Sequence, residues 1–354
     1  MKKLLMVCLL AFPVFIDAQS VSPARSQTDS LYHLPDEIPV PLGNHLDAFY
    51  YEFSGLAKWR DSIVLLIPQG IGSSDVGNQL FGIYASDISQ TLASYKKLEK
   101  QNEISRVLTF RFTNKFSDLL PLNGGAEAAT VVGDTIFFAV EADEVCYLVK
   151  GSIDASNPVA PTITLQKFIP IKKPGGAINN AGFESLAWLP ESNSLLAFFE
   201  KNDKNGDPSV YRINTSLDIV EQLKFDNTLL FRLTDVNADG ATPYSLLGIN
   251  HHYNDYNSKK KDEFFYYIGN PTDTVALNAA KVQMRGQDPR NLSFTRVVSI
   301  IAKPGQPVQW KEKKLISFSN DNWEGILPFA GGALMIIDGK PLGYPCRLSW
   351  FSMN

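Results

Sequence analysis

The chain has 354 residues with 33 Lys+Arg against 37 Asp+Glu, a formal charge of −4, 44% hydrophobic residues and three cysteines. That length supports a sizeable core, built as one large repeat domain or two ordinary ones. The mild charge and the lack of a basic stripe exclude a nucleic-acid binder, and three cysteines exclude a disulfide framework.

The chain opens MKKLLMVCLLAFPVFIDAQS: two lysines, an apolar run from Leu4 to Ile16, then Asp17-Ala18-Gln19. This is the pattern of an export signal, residues 1–18, cut after Ala18. The run is short for a bilayer, and no later segment approaches the roughly 18 apolar residues a span requires. The expected location is periplasmic or secreted, with no membrane span after cleavage. Only Cys146 and Cys346 then remain, and both are expected as buried thiols. Residues 19–31 are Ser-rich and polar, a flexible leader. Residues 32–354 form the single folded domain.

Tyr32–Val40 reads as a stray strand. From Tyr51 onward, short runs of Val, Ile, Phe and Tyr alternate with Gly, Asn, Asp and Pro, the mark of an all-β chain. The best helical stretch is Asp87–Gln101. KKKDE at Lys259–Glu263 reads as a solvated loop.

Internal repetition organises the rest. GFESLAWLPESNSLLAFFEK at Gly182–Lys201 holds two apolar strands around a polar turn, with Glu184 and Glu200 at the open end. Comparable hairpins start at Phe53, Ala126, Tyr244 (returning through Phe264–Asn270) and Trp323. Their first positions are Ser54, Glu127, Glu184, Ser245 and Glu324, spaced by about 57 to 79 residues. Further strand-like runs follow each hairpin, among them SVYRINT and TLLFRLT after the third. Such units with variable loops are blades of a β-propeller. The count favours five blades, with six as the alternative. The last unit is one strand short, so Tyr32–Val40 is expected to complete it and close the ring.

In a propeller the first strand of each blade lines the channel and the second returns beside it. The first positions should therefore meet at one mouth, joined by the hairpin ends Gln69, Glu141, Glu200, Asn270 and Asp338. That gathers Glu127, Glu141, Glu184, Glu200, Glu324 and Asp338, with Ser54, Gln69, Ser245 and Asn270 as neutral ligand-binding oxygens. Acids at this density raise one another's pKa unless something neutralises them. A hard cation, Ca2+, is the economical neutraliser; capping of backbone N–H groups is the structural alternative. Lys201 and Lys340 adjoin the hairpin ends and could face a phosphate. A second calcium pattern is Asp235-Val-Asn237-Ala-Asp239-Gly240, the first half of an EF-hand loop, although position 12 is Leu246 rather than Glu. An Asx-rich turn without metal is its alternative. The adjacent His251 and His252 lack zinc-ligand spacing. No nucleophile elbow or phosphate-cradling Gly loop is present.

SGLAKW, AEAA, GFESLAW with FFEKN, and NWEGI with the closing IID resemble the repeats of the SdiA-regulated propeller family and, more broadly, of phytase-like (esterase-like phytase domain) secreted propellers. The resemblance implies a propeller fold. It maps Glu127, Glu184 and Glu324 onto blade-start acids, and Glu141 and Glu200 onto hairpin-end acids. Gln69 and Asn270 depart from the acidic pattern. The expected function is an exported propeller that binds a cation and a small polar or phosphorylated ligand at the acid-lined mouth. The alternatives are a calcium-dependent phosphoric-ester hydrolase, with Glu184, Glu200 or Glu324 as catalytic candidates, and a scaffold that docks an envelope protein. A monomer is expected.

Overall fold

Runs of β-branched and aromatic residues punctuated by turn formers dictate short strands here. A computed structural model describes residues 36–43, 46–73, 76–100, 103–120, 125–142, 145–172, 182–201, 209–252, 274–318, 321–339 and 345–353. The export signal, the leader, Lys259–Glu263, Asn270 and Lys340 lie outside the described residues.

The described strands form five antiparallel four-stranded units. Strand β1 (Glu37–Val40) belongs to the last of them. The first unit is β2 (Phe53–Trp59), β3 (Ile63–Pro68), β4 (Gln79–Tyr84) and β5 (Val107–Phe112). The second is β6 (Gly125–Val132), β7 (Thr135–Glu141), β8 (Cys146–Asp154) and β9 (Thr162–Ile171). The third is β10 (Phe183–Leu189), β11 (Ser194–Phe199), β12 (Val210–Asn214) and β13 (Ile219–Leu223). The fourth is β14 (Arg232–Ala238), β15 (Ser245–His252), β16 (Phe294–Ile301) and β17 (Gln309–Ser317). The fifth joins β18 (Asn322–Phe329), β19 (Gly332–Asp338) and β20 (Arg347–Ser352) to β1.

The first strands touch in cyclic order: β2 with β6, β6 with β10, β10 with β14, β14 with β18, and β18 with β2 again. The chain is a β-propeller, and this ring is its centre. Closure follows the expected route. β1 pairs antiparallel with β20 from Glu37↔Phe351 to Val40↔Leu348, and Ser349 Oγ donates to Glu37 Oε1 at 2.7 Å. Ends of the chain thereby cover each other's sheet edges. An unexpected link joins the first two units. β5 pairs in parallel with β9 through Arg111↔Thr162 and Phe112↔Ile163, fusing eight strands into one sheet.

Apolar side chains between neighbouring units form the core, for example Phe137, Leu148, Leu186 and Leu195 between the second and third. Narrowness at the axis sets the inner-strand sequence. A Cβ on Gly325 would stand 2.7 Å from Ile336 Cγ2 and 3.1 Å from the Gly55 carbonyl carbon, so glycine lets β18 and β2 approach. The expected helix spans Ala85–Lys96 and buries Ile88 and Leu92. A helix at Thr274–Gln283, which periodicity did not suggest, buries Leu277 and Ala280 with Phe231, Met284 and Phe294. Cys146 and Cys346 are buried free thiols. Among the described residues no helix is long and apolar enough to cross a membrane.

The fourth unit corrects the repeat assignment. Arg232–Ala238 is its first strand, so Ser245–His252 is the second rather than the first. The run TLLFRLT was expected to end the third unit. That place is taken by β13, a strand mostly facing solvent, and the end of TLLFRLT opens the fourth unit instead.

Candidate functional site: the acid-lined mouth

A one-residue slip in strand pairing builds the mouth. In each first strand the register to the second strand shifts at a single residue: Ser54, Glu127, Glu184, Thr234 and Glu324. A bulge of this kind leaves a residue outside the ladder and re-aims its side chain. Four of these positions are those expected from the sequence. The fourth unit contributes Thr234 in place of Ser245. Its Oγ1 donates to the Trp323 carbonyl at 2.8 Å, tying this unit to the next.

The register also fixes the second ring. Gly125 pairs with Glu141, Arg232 with His251, and Asn322 with Asp338, while Gln69 N donates to Glu52 O and Glu200 N to Gly182 O. The hairpin ends are therefore Gln69, Glu141, Glu200, His251 and Asp338, with His251 where Asn270 was expected. The residues opposite them are Glu52, Gly125, Gly182, Arg232 and Asn322. Gly182 has to be small: a Cβ there would meet Cys146 Sγ at 2.7 Å and the Glu141 carboxyl carbon at 3.0 Å. At the matching place the fourth unit carries Arg232, whose guanidinium reaches the acids.

Arg232 donates from Nε to Glu200 Oε1, and Nη2 lies 3.5 Å from Glu324 Oε1. Gln69 Nε2 bridges both oxygens of Glu127 at 2.9 and 3.0 Å. Ser54 Oγ donates to the Glu52 carbonyl at 3.3 Å. Glu141 shares a hydrogen bond with Glu184 and accepts one from the Gly182 backbone. Glu127, Glu184, Glu200 and Glu324 are all buried. Two acceptors at this end are buried without a hydrogen-bond partner among the described residues, Glu200 Oε2 and Asn322 Oδ1.

Burial pushes Glu127 up to about 7, with Glu200 adding to the shift against the Gln69 hydrogen bond. Burial, then the charges of Glu127 and Glu200, take Glu141 up to about 8. Glu324 also rises to about 8 through burial, with Asp338, Glu200 and Glu127 adding to it against Arg232. Burial raises Glu184 well above the ordinary carboxyl range, followed by Glu127, Glu200 and Glu141. Desolvation and like charge act in one direction here, and a single described guanidinium opposes them.

The structure thus brings together Glu127, Glu141, Glu184, Glu200, Glu324 and Asp338 with Ser54 and Gln69. It leaves four expected residues elsewhere. Ser245 and Asp239 sit at the opposite, turn end of their hairpin, where the Ser245 hydroxyl lies within hydrogen-bonding reach of Asp239 Oδ1 and Thr242 O. Asp235 and Asn237 lie within β14, not in a calcium loop. Asp235 accepts from Val236 N at 2.8 Å and Ile326 N at 2.9 Å, and Asn237 Nδ2 donates to Leu56 O and Ile326 O. Their oxygens and nitrogens stitch neighbouring first strands together. An extended strand cannot wrap alternate residues around one ion as the EF-hand loop does. Lys201 follows Glu200 directly and is half-buried.

Arg232, Thr234 and His251 are the mouth residues that sequence reasoning missed. His251 Nδ1 lies 2.8 Å from Thr295 Oγ1, and burial, then Arg232, holds this imidazole well below its ordinary pKa. His252 Nε2 lies 2.9 Å from Pro289 O, and burial takes that ring down to about 4. Both are neutral core histidines.

No protein-family model matches the chain, and no curated protein matches it in sequence. Solved structures do. The β-propeller domain of Cps50 (Swd1) from Myceliophteria thermophila is 11% identical, covering 84% of this chain and 82% of that one, with a TM-score of 0.34. A Thermus thermophilus protein named as a putative oxidoreductase (glucose dehydrogenase) is 10% identical, covering 89% and 99%, with a TM-score of 0.37. The extracellular domain of a hybrid two-component system, BT4673 of B. thetaiotaomicron, is 13% identical with a TM-score of 0.34; 84% of this chain is covered and 27% of that one.

Proposed function

We propose that this protein is an exported, five-bladed propeller that binds a cation, together with a small polar ligand, at the acid-lined mouth. The observation that carries this reading is the pair of buried acceptors without partners among the described residues, Glu200 Oε2 and Asn322 Oδ1, beside carboxyls raised by burial and by one another. Buried acceptors of this kind cost about 1–3 kcal/mol each until a donor or cation meets them. Calcium is the first ion to consider, because carboxylate and amide oxygens are its ligands.

Among the described residues no three His, Cys, Asp or Glu side chains already stand as ligands of one ion. A bound calcium would therefore require mouth carboxyls such as Glu324 or Glu184 to turn toward it, with Glu200 Oε2 and Asn322 Oδ1 as the acceptors still open. The acid excess favours a cationic or hydroxyl-bearing ligand over a phosphate ester, since Arg232 is already engaged by Glu200 and Glu324. Cation binding displaces protons from the raised carboxyls, so affinity increases from pH 6 to pH 8.

The test is isothermal titration of calcium into the mature protein at pH 7, in two buffers that differ in ionisation enthalpy. Saturable binding with net proton release, lost in Glu200→Gln/Glu324→Gln, is the expected result. Heat no greater than dilution in either buffer removes calcium; the same titration with a primary ammonium such as putrescine then decides whether the mouth takes an organic cation or none.

A further inference from the structure

The turn end of the ring offers a second and chemically different site. A depression of about 590 Å³ opens there, within the range of small-molecule sites. All five units contribute to it, through Lys58 and Arg60, Thr130, Trp188, Tyr244 and Leu327. Its lining carries two cations, Lys58 and Arg60, and three carboxylates, Asp61, Glu191 and Asp239. Lys58 Nζ pairs with Asp61 at 2.8 Å, and Arg60 makes a forked pair with Asp134, donating from Nε at 2.9 Å and Nη2 at 2.8 Å. Both cations are answered in place, which leaves neither to hold an anionic ligand.

Two half-buried aromatic side chains line the depression. Trp188 packs one side against the core between the second and third units, and Tyr244 packs against the core between the third and fourth. Tyr244 is held with φ at +65°, a left-handed conformation that is a genuine outlier for a bulky residue. The segment leading to it is tied down to keep it there. Ser245 Oγ donates to Asp239, Asp239 Oδ1 accepts from Ala241 N at 2.9 Å, and Ala302 N donates to the Tyr244 carbonyl at 3.1 Å. Backbone strain maintained by such over-determination concentrates at ligand sites.

We propose that this depression binds a short neutral oligosaccharide. Aromatic faces accept the apolar C–H face of a sugar ring, while flanking hydroxyls, carboxylates and ammonium groups meet its hydroxyls without requiring a charge on the ligand. The site is independent of the acid-lined mouth.

The experiment is intrinsic tryptophan fluorescence, backed by calorimetry, on the mature protein titrated with five probes: cellotriose, maltotriose, xylotriose, mannotriose and galactotriose. At least one should bind saturably. Trp188→Ala and Tyr244→Gly should each weaken it by about tenfold or more, and Glu184→Gln at the other mouth should leave it unchanged. Tyr244→Gly accepts the left-handed backbone, so it keeps the test alive if Trp188→Ala fails to fold. The proposal falls if none of the five binds, if both variants bind as the parent does, or if Glu184→Gln abolishes binding.

Discussion

Arg232 is the residue on which the acid mouth depends. Its guanidinium bonds Glu200 and approaches Glu324, both buried. Removing a buried ion-pair partner strands the remaining charge and costs about 3–5 kcal/mol. Arg232→Met is therefore expected to destabilise strongly at pH 8, where Glu324 ionises, and less at pH 5, where Glu324 holds its proton. Urea unfolding at the two pH values reads the difference; an equal loss at both would remove the charge argument. Asp235 works differently, because its carboxyl accepts two backbone N–H groups, one from its own strand and one from the adjoining first strand. Asp235→Asn turns an N–H donor toward one of those donors. Its expected cost is about 1–3 kcal/mol, read from the urea midpoint at unchanged m-value.

Elements repeat where the chain has to line a narrow ring. Each first strand carries an apolar residue, a polar residue at the bulge and then a small or polar one: Phe-Ser-Gly, Ala-Glu-Ala, Phe-Glu-Ser, Leu-Thr-Asp and Trp-Glu-Gly. Gly325→Val meets Ile336 and the Gly55 backbone, so it should lose about 1–3 kcal/mol through overpacking, seen as a lower Tm with the oligomeric state unchanged. Deleting the chain through Val40 uncovers β20. Size-exclusion chromatography should then show association through that edge.

The hairpins of the first, second, third and fifth units were legible in sequence because a short polar turn separates two apolar strands. The fourth was not. Thr234 and Asp235 replace the Glu–small signature, and Tyr244–His252 is itself an apolar run that imitates a first strand. The phase slipped by one strand, which hid Arg232 and Thr234 and moved Ser245 to the wrong mouth. Acid clustering was readable from repeat position alone. The counter-charge was not, since Arg232 stands where two other units have glycine. The EF-hand spacing misled because alternate residues such as Asp235 and Asn237 also share one face of a strand, and a period of two satisfies both patterns.

At the scale of the whole molecule, the buried acids give stability an inverted pH profile. Glu127, Glu141, Glu324 and Asp235 are raised to about 7, 8, 8 and 8, above their ordinary values of 4.5 and 3.8. The native state therefore binds more protons than the unfolded state between roughly pH 4.5 and 8. Stability contributed by these groups is full below that window and is lost as pH rises through it. Unfolding free energy should fall from pH 5 to pH 8, and Glu141→Gln/Glu324→Gln should flatten the slope. A flat or rising parent profile across that window would show the acids to be ionised and neutralised within the fold.

The most direct measurement is thermal unfolding of the protein at pH 7, with EDTA and then with excess calcium, on the parent and on Glu184→Gln/Glu324→Gln. Calcium at about 100 times its dissociation constant stabilises the site that binds it by about 2.7 kcal/mol. The account predicts a clear rise in Tm for the parent and none for the double variant. An equal Tm with and without calcium in the parent, or a rise of the same size in the variant, would contradict a calcium site at the acid-lined mouth.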